Sequence, residues 1–153
     1  MSDKLISVDV KSEIGKLEAV LLHTPGPEVE NMTPENAQRA LYSDILNLSI
    51  AQKEYEQLSG VLNKFAKTYQ VKDLLIELLD DHNEREALIG KICVGENVTD
   101  YFEYLMGISS KSLATVLIEG LPAKIDTLTA YLKDEYYALP PLYNYYFTRD
   151  ASV

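Results

Sequence analysis

Toward the end of this sequence, Pro141-Leu142-Tyr143-Asn144-Tyr145-Tyr146-Phe147-Thr148-Arg149-Asp150 sets one amide and an adjacent cation–anion pair into a run of aromatics. Polar side chains between aromatics suit a pocket wall, where a few placed groups orient a small ligand against a mostly apolar lining. Asp150 is the charged group of such a wall. On spacing alone the alternative is a buried strand whose Arg149 and Asp150 face solvent or pair elsewhere.

Other residues capable of chemistry are few. His23 closes the apolar run Val20-Leu21-Leu22, and an acid–base histidine needs a carboxylate partner that the sequence does not assign, so a structural role is expected. Cys93 lies between Ile92 and Val94, a setting for a buried small residue rather than a nucleophile. His82 sits in the polar link Asp80-Asp81-His82-Asn83. No metal-ligand cluster, glycine-rich phosphate loop or serine triad is legible, so neither metal nor cofactor is expected.

The segment Asn144-Tyr145-Tyr146-Phe147-Thr148-Arg149-Asp150 resembles the Asn-x-x-Phe-Thr-Arg-Asp signature of arginine deiminases. Ser12-Glu13-Ile14-Gly15-Lys16-Leu17 with Val20 to Gly26 is similar to that family's opening strand and turn, and Glu30-Asn31-Met32-Thr33-Pro34, Leu41-Tyr42-Ser43-Asp44-Ile45 and Ala51-Gln52-Lys53-Glu54-Tyr55 follow in family order. Thr24 stands where the family often has Arg, and Ser43 where it usually has the first of two acids. The resemblance implies hydrolysis of L-arginine to L-citrulline and ammonia through a cysteine-linked intermediate. Asp150 then matches the catalytic, guanidinium-binding aspartate, and Leu41, Asn144 and Phe147 match substrate-binding residues. The family's nucleophilic cysteine, histidine and remaining acids come from segments beyond this chain, so the chain alone is expected to be inactive. A truncated non-catalytic remnant, a helical interaction module and another guanidine-modifying hydrolase are the alternatives.

The elements that must position these residues follow from the pattern. Leu17 to His23, closed by Pro25-Gly26-Pro27, reads as a buried strand entering a turn. Thr33-Pro34-Glu35 reads as the start of a helix running to about Tyr42. Ser49-x-x-Gln52 reads as a capping box. Tyr55, Leu58, Leu62 and Phe65 then recur at helical spacing and predict a core-facing stripe. Tyr69 either extends that stripe or belongs to a short strand near Lys67 to Val71, and periodicity leaves both open. Residues 1–72 thus predict strand, helix and strand, an α/β unit. From Asp73 onward amphipathic pieces separated by Gly95, Gly107 and Gly120 predict a compact helical bundle. The resemblance makes 1–72 part of the first module of a pseudo-fivefold α/β propeller, 73–137 an α-helical insertion, and 138–153 a return strand carrying the signature.

The 153 residues suffice for one core. A formal charge of −10 argues against nucleic-acid binding, which needs a basic face, and is compatible with drawing a cationic substrate such as arginine. No apolar run reaches membrane-spanning length, and the acidic opening lacks the basic and apolar regions of a secretory signal. With one cysteine and therefore no internal disulfide, a cytoplasmic protein is expected. An unpaired sheet edge predicts self-association into a homo-oligomer.

Overall fold

A computed structural model of the protein describes residues 10, 12, 14–31, 46–124 and 137–148. Strand β1 (Ala19–Leu22) pairs in parallel with β2 (Lys67–Gln70), from Ala19 opposite Lys67 to Leu22 opposite Gln70. Parallel neighbours require a crossover of a dozen or more residues, and helix α1 (Leu48–Leu62) lies within it. The strand–helix–strand reading is met, and Tyr69 belongs to the second strand.

Two local expectations are corrected. The cap of α1 is Asn47, whose extended backbone lets its side chain accept from the Ile50 N–H at 3.2 Å. Ser49 is already helical and donates its hydroxyl to Asn47 Oδ1 at 2.8 Å, while Gln52 reaches away to the Pro25 carbonyl at 3.0 Å. The capping box therefore does not form. Nor is the α1 stripe a closed core: Leu58 is 50% exposed, Phe65 beyond the helix is 74% exposed, and no residue of α1 is fully buried. Among the described residues the sheet beneath it is two strands wide, too narrow to cover a helix about 10 Å across.

The helical region starts without a linker. Gln70 ends β2 and α2 (Val71–Asp80) begins at once, followed by α3 (His82–Gly95), α4 (Phe102–Gly107) and α5 (Ser110–Glu119). Asp81 caps α3 by accepting from Asn83 and Glu84 N–H groups, and Ser109 caps α5 from Ser112 N–H, so the sharp reversals leave few unpaired donors. Leu79, Ile89, Cys93, Leu105, Leu113 and Ala114 form the buried centre, and Leu139 joins it from outside the helices. Arg85 Nη2 donates to the carbonyls of Leu105, Met106 and Ile108, satisfying acceptors at the end of α4 that would otherwise be unpaired.

Strand β3 (Leu121–Pro122) pairs antiparallel with β4 (Tyr137–Leu139). Gly120 before it has φ +92°, and a Cβ there would stand 2.8 Å from Pro141 Cγ, so both backbone and space require glycine. Strand β4 ends before the aromatic signature, which folds as turns over 143–146 rather than continuing as a strand. Among the described residues no helix is long and apolar enough to cross a membrane.

Candidate functional site

The carboxyl end of β1 is where the signature turn lands. Beyond Leu22 the chain passes His23, bends through Pro25-Gly26-Pro27 and enters a single 3-10 turn (Pro27–Val29) that carries Glu28 back toward the strand. His23 Nε2 and Glu28 Oε1 are 3.0 Å apart, with His23 3% and Glu28 1% exposed. The same carboxylate oxygen accepts from the Gly26 N–H at 2.7 Å. A Cβ on Gly26 would meet Glu28 Oε2 at 2.5 Å, so the close approach depends on glycine.

Burial pushes the Glu28 carboxyl up, but the hydrogen bonds from His23 and the backbone, together with the His23 charge, outweigh it and hold the group below its ordinary value. Glu28 is therefore an ionised acceptor, and His23 donates through Nε2. Its Nδ1 is buried without a hydrogen-bond partner among the described residues. The main chain here is also held: His23 N–H donates to the Tyr55 hydroxyl of α1 at 2.9 Å, and Thr24 N–H to Gln70 Oε1 of β2 at 3.2 Å. Burial pushes the Tyr55 phenol up.

The signature is tied down on both sides of its turn. Leu142 N–H donates to the Ile118 carbonyl of α5 at 2.9 Å, and the Thr148 hydroxyl donates to the Leu21 carbonyl of β1 at 3.0 Å. Between these anchors Tyr145 N–H bonds the Leu142 carbonyl and Phe147 N–H the Asn144 carbonyl, each at 3.0 Å. The Tyr145 ring meets the His23 ring edge-to-face, centroids 4.8 Å apart at 66°, and burial pushes its phenol up. Asn144 and Phe147 are exposed, with the Phe147 ring 4.2 Å from that of Tyr146. The turn thus spans from the helical bundle to the strand end, with Asn144 and Phe147 exposed on it.

Of the expected site residues, Asn144 and Phe147 are brought into one turn. Leu41 and Asp150 lie outside the described residues, as do the predicted helix from Thr33, Ser43-Asp44 and Arg149. Sequence reasoning missed Glu28 as the carboxylate partner of His23 and gave Thr148 no role. The one signal was a His-x4-Glu spacing, and it carries meaning only once Pro25-Gly26-Pro27 folds back. Cys93 is 2% exposed in the bundle core, and desolvation pushes its thiol up, which suits packing rather than attack. A shallow groove on the bundle, lined by Asn83, Ala87, Gly90, Lys91 and Val94, includes none of the signature residues.

No protein-family model matches the chain. Among curated proteins it is 35% identical to the arginine deiminase of Lactococcus lactis subsp. lactis over 162 residues, covering 95% of this chain and 40% of that enzyme. The arginine deiminases of Limosilactobacillus reuteri and Bacillus cytotoxicus are 34% and 36% identical, each over 95% of this chain and 39% of their own length. The chain is a relative of the arginine deiminases. The similarity is not confined to the signature or to the opening strand, since these matches take in nearly the whole chain, helical bundle included. The chain spans about 40% of the length of these arginine deiminases.

Proposed function

We propose that this chain is the N-terminal part of an arginine deiminase and supplies one wall of its substrate site. The observation that carries this reading is the 32–36% identity to arginine deiminases over nearly the whole chain. In this reading Asp150 takes two guanidinium donors in parallel bonds, which gives affinity and a fixed orientation together. Leu41, Asn144 and Phe147 line the remainder of that wall. A cysteine from the part absent here attacks the central guanidinium carbon, ammonia leaves, and a histidine-activated water hydrolyses the cysteine-linked intermediate to L-citrulline. Because the groups act as a unit, the chain alone is inactive.

The same reading makes the β1–α1–β2 unit part of the first module of a pseudo-fivefold α/β propeller, 73–137 its helical insertion and 138–153 the segment that returns to it. The open α1 face and the two-stranded β1–β2 sheet support self-association of the isolated chain. The proposed setting is the cytoplasm.

The deciding assay mixes the purified chain with the remaining portion of the Lactococcus lactis enzyme and follows citrulline from L-arginine. Citrulline that requires both parts, and is abolished by Asp150→Asn, supports the proposal. Citrulline from the chain alone overturns its inactivity. Failure of every mixture favours a non-catalytic remnant.

A further inference from the structure

Helix α3 (His82–Gly95) has two faces, and the chain covers one of them. Ile89 and Cys93 are buried in the bundle centre, with Leu88 and Ile92 packed beside them. The opposite side presents Asn83, Ala87, Gly90 and Val94, at helical spacing, as a single row. This row is the floor of the shallow groove, and half-buried Phe102 of α4 forms its wall. Val94 is 73% exposed there. Glycine weakens a helix interior relative to alanine, yet a Cβ on Gly90 would meet nothing within 4 Å. Packing within the chain therefore gives no reason for glycine at this position. A helix arriving from outside gives one, since the distance between two helix axes is set by the side chains at their contact.

The flanks of the row carry one charge of each sign. Glu86 lies on one side and Lys91 on the other, and both are exposed. Glu86 is held loosely by His82 Nδ1 at 3.9 Å, and Lys91 has no ion-pair partner among the described residues. The order is that of a helix-pairing seam, with Asn83, Ala87, Gly90 and Val94 on the seam and Glu86 and Lys91 beside it. Two such helices running in parallel about a two-fold axis put Glu86 of each copy next to Lys91 of the other, so both flanking pairs attract. In an antiparallel pair Glu86 would lie beside Glu86, and Lys91 beside Lys91. A surface that complements itself is what a two-fold dimer requires. We propose that this face of α3 docks a second copy of the chain, with the two α3 helices parallel and in contact through Ala87, Gly90 and Val94. The site is separate from the open α1 face and the β1–β2 sheet, and it does not depend on the arginine-site reading.

The test is sedimentation of the 153-residue chain over a concentration series, with variants that change this face alone. Glu86→Lys and Lys91→Glu each make both flanking pairs repulsive and are expected to weaken dimerisation about tenfold. Mixed one to one, the two variants are expected to associate as tightly as the wild type, because every flanking pair of the mixed dimer is again of opposite sign. Gly90→Leu raises helix propensity and fills the seam, so it is expected to stay folded by circular dichroism and to abolish dimerisation. Ala87→Cys, treated with diamide, is expected to give a covalent dimer, since the two-fold sets position 87 against its own copy; Cys93, 2% exposed, does not compete. A wild type that is monomeric at about 0.5 mM overturns the proposal. So does a mixture no tighter than its components, or an Ala87→Cys chain that stays uncross-linked. Dimerisation left unchanged by the two charge variants and by Gly90→Leu also overturns it and assigns association to the α1 face or the sheet. If Gly90→Leu fails to fold, the charge exchange decides, because it is confined to exposed side chains.

Discussion

The Thr148 hydroxyl donates to the Leu21 carbonyl at 3.0 Å across 127 residues of sequence. It joins the signature to the exit of β1 and brings the far ends of the described chain together at one place. A hydroxyl in an aromatic run would otherwise pass as incidental, but here it fixes where the turn sits relative to His23.

Thr148→Val keeps the shape and removes the bond. The bond is partly exposed, so its loss is worth about 0.5–1.5 kcal/mol. The expected result is faster amide exchange at Phe147 with a nearly unchanged denaturation midpoint for the bundle. Equal losses in both regions would mean that the turn and the bundle open as one unit.

Gly120→Ala is expected to destabilise by about 1–3 kcal/mol, because φ +92° is unfavourable for alanine and the new Cβ meets Pro141. Equilibrium urea unfolding measures the change. Displacement of Pro141 would also loosen the Leu142 bond to Ile118, so Asn144 resonances should move in this variant.

Arg85→Met is expected to cost about 1.5–3 kcal/mol, since one guanidinium serves three carbonyls at the end of α4. Thermal unfolding reads the loss. The bundle should remain helical by circular dichroism, because the apolar centre formed by Leu79, Leu105 and Leu113 is untouched.

The pH dependence of stability has a sign set by Glu28. Its folded value lies below the ordinary 4.5, so above about pH 4.5 its ionisation contributes fully to stability. As pH falls the unfolded state binds the proton first, and the contribution is lost progressively down through the lower folded value. Urea midpoints measured from about pH 6 to pH 3 should therefore fall more steeply for the wild type than for Glu28→Gln. Identical slopes would show that folding leaves the Glu28 pKa unchanged, contrary to the lowered folded value.

The sequence by itself determined the local alphabet of this protein. The apolar run ending at His23, the helical spacing after Ser49 and the amphipathic pieces from Asp73 were each readable, because strand and helix impose periods on the chain that burial makes visible. The relationship to arginine deiminases was readable as well, from blocks in register. Tertiary structure alone decided which residues meet. Tyr69 became a strand because β1 offered a parallel edge, and Asn47 took the helix cap from Ser49 because its backbone is extended there. Glu28 was ordinary in sequence and became the partner of His23 only when a proline-rich turn reversed the chain, since a hydrogen bond depends on a fold in space and not on a period. The same reason hid the role of Thr148, whose acceptor lies at the other end of the chain.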